Sequence, residues 1–252
     1  DQHDEVLSSP AIHYVYSYIY TEYGNNNVIK SKDAYKFAIE SSYFKHVAGK
    51  PDKDSKEFHN RHGFSANQKI NRELINDYFK RLVLKENTIS RKRLITSMYA
   101  AYAIGTDRCL DKIKYILTSD SISLRNESLF KTFSGNIIDL IYFDFRDPKN
   151  IHLIRDPRAS FASYNHEYTN DNGNTYGITH ENYLSQMKKL LKLDLSDRKG
   201  CVFHTILSSF ISGSKAMNRI KNTHSNSFIT VKNEDLNLNF HHTIINITKW
   251  LG

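Results

Sequence analysis

Three short apolar runs rich in β-favouring residues, Lys114–Thr118, Ile151–Ile154 and Phe228–Lys232, are separated by stretches of helical periodicity, and this alternation narrows the possible folds most. A strand that returns after a helix can pair in the same direction as its predecessor, because the helix supplies the crossover that a parallel pair needs. The expectation is an α/β fold, a three-layer α/β/α arrangement with a central parallel sheet covered on both faces. At 252 residues, 39% apolar and 12% aromatic, the chain can bury a core, which excludes disordered and collagen-like polymers. One domain over residues 1–252 is the default for that length. No run of about 18 apolar residues occurs, so no membrane-spanning segment is expected.

The N-terminal half is helix-rich. Ser31 precedes Asp33 as a cap, and Ala34, Phe37, Ala38, Ser41 and Phe44 recur at helical spacing until Gly49 and Pro51 stop the pattern. Ser65 and Gln68 have the spacing of a capping box, opening a helix with Ile70, Leu74, Tyr78 and Leu82 on one face. After Ser90 a third helix carries Leu94, Met98, Ala101 and Tyr102 and stops at Gly105. Ile137–Phe145 reads as a helix, and Asp147–Asn150 as a turn. Helices over Asn182–Leu193, Cys201–Lys221 and Phe240–Leu251 follow. Cys109 and Cys201 fit neither a disulfide framework nor a zinc site. His59 with His62, and His241 with His242, lack matched ligands, so no metal is expected.

In parallel sheets ligands gather beyond the carboxyl ends of the strands, where helix N-termini direct their free amides. Three strand ends therefore matter: Ser119–Asp120, Arg155, and Lys232–Asn233–Glu234–Asp235. Arg155 offers a planar fork of donors matched to a phosphate, between a strand and a helix that Asp156 caps and Pro157 begins. Ser163 follows eight residues later, about 9 Å along that helix from Pro157, with a hydroxyl able to donate to the same anion. The plainer alternative is a strand-to-helix turn in which Arg155 pairs with Asp156 or another carboxylate.

The segment Ile151–Ser163 resembles the 3′-phosphate-binding motif of sulfotransferases that use 3′-phosphoadenosine 5′-phosphosulfate (PAPS): a strand ending in Arg-Asp-Pro-Arg, with a serine eight residues after the first Arg. Phe228–Leu236 is similar to the family's strand ending in Tyr-Glu-Asp-Leu, with Asn233 at the Tyr position, and Ile244–Gly252 is similar to its next helix, with Trp250 where Phe is common. The resemblance covers the second half of the chain. It implies a fold like that of P-loop nucleotide kinases, PAPS as donor, adenosine 3′,5′-bisphosphate as product, Arg155 and Ser163 on the 3′-phosphate, and no metal. The partner it implies is a small-molecule or carbohydrate acceptor, with the helical region Ser31–Gly105 and the loop Asn165–His180 shaping its pocket.

Two departures from the family pattern bear on the chemistry. The Ser-Gly-Thr-Thr loop that cradles the 5′-phosphosulfate is not in this sequence, and Gln2–Val6 resembles the turn that follows the next helix, so the chain reads as an internal fragment truncated at both ends. The Glu base of several family branches is replaced by Pro10 or Ala11, leaving His13 as the nearest candidate base, with an ordinary helix-face histidine as the alternative. Lys131, 24 residues before Arg155, or else the Ser119–Asp120 strand end, would take the position that stabilises the bridging oxygen. No leader segment is visible, and a cytoplasmic location is the default.

The net charge of +8 invites a nucleic-acid reading. The basic residues are scattered, apart from Arg91–Lys92–Arg93 and Lys188–Lys189, so no nucleic-acid partner is expected. A nucleotide-binding relative that has lost catalysis is the other alternative.

Overall fold

In the computed structural model, which describes residues 4–8, 19, 20, 22–24, 26–41, 44, 47, 48, 70–118, 137–160, 162, 214, 215 and 217–252, helices alternate with short strands. The chain divides into two compact units, Asp1–Ile122 with Thr132–Arg146, and Ser123–Lys131 with Asp147–Gly252.

The first unit contains β1 (Val6–Ser8), β2 (Ile29–Lys30), α1 (Ser31–Glu40), α2 (Arg72–Val83), β3 (Thr88–Ile89), α3 (Arg91–Gly105), β4 (Tyr115–Leu117) and α4 (Ile137–Asp144). As expected, Ser90 opens α3 and its side chain accepts the Arg93 N–H, which satisfies one of the amides a helix leaves unpaired. Leu94, Ile95, Met98, Tyr99 and Tyr102 are all buried, so α3 is enclosed on most sides and forms the centre of the core. Burial of each large apolar side chain contributes about 1.5–3 kcal/mol.

Helix α2 packs along α3. Gly105 sets how closely they approach: a Cβ there would lie 2.1 Å from Ile75 Cγ1 and 2.9 Å from the Asn71 carbonyl oxygen. The Gly105 carbonyl accepts the Asn71 N–H at 2.8 Å. Asn71 also caps α2, its Oδ1 accepting the Leu74 N–H at 3.0 Å, so Ile70 precedes the helix rather than lying within it. The buried stripe is Ile75, Phe79 and Val83, one residue along from the face expected through Leu74, Tyr78 and Leu82. The proposed capping box of Ser65 and Gln68 lies outside the described residues.

Helix α1 also departs from expectation. Lys30 is its N-cap, without a side-chain bond, and Ser31 is its buried first residue. The helix ends at Glu40 because Ser41 turns extended; Ser41 Oγ donates to the Ala38 carbonyl and accepts the Phe44 N–H at 3.2 Å. One hydroxyl thus closes one helix and caps the next turn, dividing a pattern that looked continuous.

A buried ion pair ties three segments of this unit together. Arg91 Nε and Nη2 donate to the two Asp144 carboxylate oxygens at 3.0 and 2.9 Å, and both side chains are 1% exposed. Arg91 Nη1 donates to the Gly24 carbonyl, and the guanidinium carbon lies 5.4 Å from the Tyr20 ring centroid. Gly24 has φ +50°, a conformation that glycine adopts without strain, in the turn that presents this carbonyl.

The second unit contains β5 (Asn150–Ile154), β6 (Phe228–Lys232), α5 (Asn233–Leu238) and α6 (Phe240–Leu251). Both expected strands and the final helix form; α5 was not anticipated. β5 and β6 pair in parallel from Asn150 opposite Phe228 to Ile154 opposite Lys232. At the opposite end from Arg155, Ser227 Oγ donates to Asp147 Oδ1 at 2.5 Å, and Lys149 Nζ lies 3.2 Å from Asp147 Oδ2 and 5.6 Å from the Trp250 ring centroid.

Mixed α/β architecture and parallel strand pairing are thus present, since β1 and β4 are also parallel. The full covering of both faces is not seen among the described residues. Tyr115, Ile116 and Leu117 of β4 are 40–51% exposed, Leu153 of β5 is 53% exposed, and β2–β3 is an antiparallel pair. No described helix is long and apolar enough to cross a membrane.

Removing one member of the buried pair leaves an uncompensated charge, so Asp144→Ala should lower the unfolding free energy by about 3–5 kcal/mol in urea titrations. The double change Arg91→Met with Asp144→Leu should cost clearly less than the single one, because no charge then remains buried.

Candidate functional site

The parallel register of β5 and β6 brings two chain exits to one level: Arg155 follows Ile154, and Asn233 follows Lys232 directly opposite. Helical backbone begins immediately after both exits, at residue 157 and at Asn233. Pro157 suits the first helical position because its fixed φ and missing N–H cost nothing there.

Asp156 organises the first exit. Its Oδ1 accepts the Arg158 N–H at 2.8 Å, its carbonyl accepts the Ser160 N–H at 3.0 Å, and its carboxylate holds the Arg158 guanidinium through contacts of 2.5–3.1 Å. The Arg158 side-chain bond, with the backbone bond behind it, lowers the Asp156 carboxyl to about 2. Asp156 is therefore an N-cap whose charge is matched by Arg158. Arg155 is exposed, and its side chain forms no hydrogen bond or ion pair with the described residues.

Glu234 joins the two exits. Its Oε1 accepts the backbone N–H of Asp156 at 3.0 Å. This bond, followed by one from its own backbone N–H, lowers its pKa, and the positive charge of Arg155 acts in the same direction more weakly. Thr243, a buried residue of α6, donates through Oγ1 to the Asp235 carbonyl at 3.2 Å, bracing the turn beside Glu234. Reading Glu234 as one residue of a strand end did not anticipate its bond to Asp156, which joins residues 78 apart in sequence. The acidic residues in the first turn after an apolar strand were the available signal.

Of the expected site residues, Arg155 lies at this strand end. Ser163, His13 and Lys131, together with the alternative Ser119–Asp120 and the loop 165–180, lie outside the described residues. His241 and His242 are exposed neighbours on α6, and no group of three or more His, Cys, Asp or Glu among the described residues is placed to hold a metal. No protein-family model, curated protein or solved structure matches the chain.

His152 lies in β5 three residues before Arg155, with its ring 5.8 Å from that of Phe228, and burial lowers its pKa from the ordinary 6.5. The unfolded chain therefore takes up a proton at higher pH than the folded one. The stability that neutral His152 contributes is complete above pH 6.5 and declines as pH falls below it. Thermal unfolding followed between pH 7.5 and about 5 should show a smaller drop in midpoint for His152→Gln than for the parent.

Proposed function

We propose that the chain is a PAPS-dependent sulfotransferase domain over residues 1–252, with a P-loop nucleotide-kinase-like three-layer α/β/α fold. The observation that carries the reading is Arg155, an exposed residue at the carboxyl end of a parallel strand pair, which has no ion pair among the described residues while Asp156 is engaged by Arg158. The Arg-Asp-Pro-Arg sequence, the Asp156 cap and the helical start at Pro157 support it.

In this reading Arg155 and Ser163 bind the 3′-phosphate of the donor. The acceptor, a hydroxyl or amine on a small molecule or carbohydrate, attacks sulfur. Its new bond to sulfur forms as the bond from sulfur to the bridging phosphate oxygen breaks, releasing adenosine 3′,5′-bisphosphate. His13 takes the acceptor proton and Lys131 stabilises the charge that builds on the departing oxygen. The reaction requires no metal, redox step or nucleic-acid partner.

Calorimetric titration of the full-length protein with adenosine 3′,5′-bisphosphate should show binding that Arg155→Ala weakens by about 1.5–3 kcal/mol, roughly 10- to 150-fold, the worth of hydrogen bonds to a charged group. Undiminished binding in that variant would remove the site assignment. Transfer of labelled sulfuryl groups from PAPS to an acceptor mixture distinguishes the enzyme from a relative that only binds nucleotide.

A further inference from the structure

We propose that Glu234 is a positioning residue for the anion site, acting through the peptide unit between Arg155 and Asp156. The inference rests on the reading of Arg155 as a phosphate ligand and assigns Glu234 a part in that same site.

The chain around Arg155 is held on both sides. On one side Ile154 sits in the β5–β6 ladder opposite Lys232. On the other, Asp156 is fixed by the Ser160 and Arg158 amides, and Pro157 locks the next φ. Between them the peptide joining Arg155 to Asp156 can rotate unless its own polar groups are held. Its N–H is the group that Glu234 Oε1 accepts at 3.0 Å. Rotation of this peptide changes ψ of Arg155, and with it the placement of the residue relative to the helix that begins two residues later. A long guanidinium-bearing side chain amplifies a small change at its root.

Glu234 is suited to this task because it is itself braced. It is the second residue of α5, two residues after Lys232, the β6 residue that pairs with Ile154. The carbonyl of its neighbour Asp235 accepts both the Asn239 N–H at 2.8 Å and the hydroxyl of buried Thr243. The carboxylate forms no ion pair with Arg155; its hydrogen bonds go to backbone N–H groups, so Glu234 does not itself occupy the guanidinium. The opposite arrangement, in which Glu234 fills the place of the anion and must be displaced, predicts the opposite sign of effect.

The test is a double-mutant cycle with adenosine 3′,5′-bisphosphate as probe and the full-length protein. Glu234→Ala should weaken binding about 3- to 10-fold. Glu234→Gln keeps a carbonyl oxygen for the Asp156 N–H and should return affinity to within about twofold of the parent. Arg155→Ala with Glu234→Ala should bind no more weakly than Arg155→Ala alone, because Glu234 acts only through Arg155. Unchanged or tighter binding in Glu234→Ala, with Arg155→Ala still impaired, would overturn the positioning role and leave the phosphate reading standing. Undiminished binding in Arg155→Ala would overturn that reading itself. If Glu234→Ala does not fold, the Gln variant against Glu234→Asp decides: a weakened Asp variant beside a near-normal Gln variant upholds the role, and any other pattern ends it.

Discussion

Asp156, two residues beyond the end of β5, performs several tasks at once, and the second unit's candidate site depends on them. Its side chain accepts the N–H of a first-turn residue, its carbonyl closes the first helical bond, and its charge is matched by Arg158 rather than by Arg155. An Arg-Asp-Pro-Arg sequence offers one carboxylate two guanidiniums, and among the described residues only one of them binds it. The helix start decides which one, because Arg158 is the residue whose amide the same carboxylate already caps.

The first unit rests on a different polar contact. Arg91 is placed inside by its position at the start of the helix that fills the core, and its charge is tolerated there because Asp144 meets it with two oxygens and Gly24 adds a carbonyl. Such pairs cost desolvation free energy and contribute less net stability than their short distances suggest. Their structural effect is specificity of contact: the end of α4, the start of α3 and the Gly24 turn have a defined mutual arrangement that apolar packing alone would leave looser.

Particular elements show what local sequence can convey. Helix α3 was readable because its cap is a serine directly before the first turn and its stop is a glycine. β6 was readable because five β-favouring residues end in a polar cluster. The stripe on α2 was misplaced by one residue because two adjacent apolar rows compete, and the close approach permitted by Gly105 selects the row containing Ile75. The single pattern through Phe44 was divided by Ser41, whose hydroxyl can serve a helix interior, a stop or a cap. The two-residue strands β2 and β3 are too short for any periodicity to register.

The candidate site divides in the same way. Sequence alone determined that a strand ends at an arginine, that an aspartate and a proline begin a helix there, and that the chain alternates strands with helices, since each of these is a property of neighbouring residues and their backbone preferences. Tertiary structure alone decided that Glu234 reaches the Asp156 amide across 78 residues of chain, whereas the pairing of Asp156 with Arg158, two residues on, is local to the helix start. The Glu234 contact follows from the register of two parallel strands, which sets the two chain exits side by side. It is not encoded in the spacing of residues along a single segment.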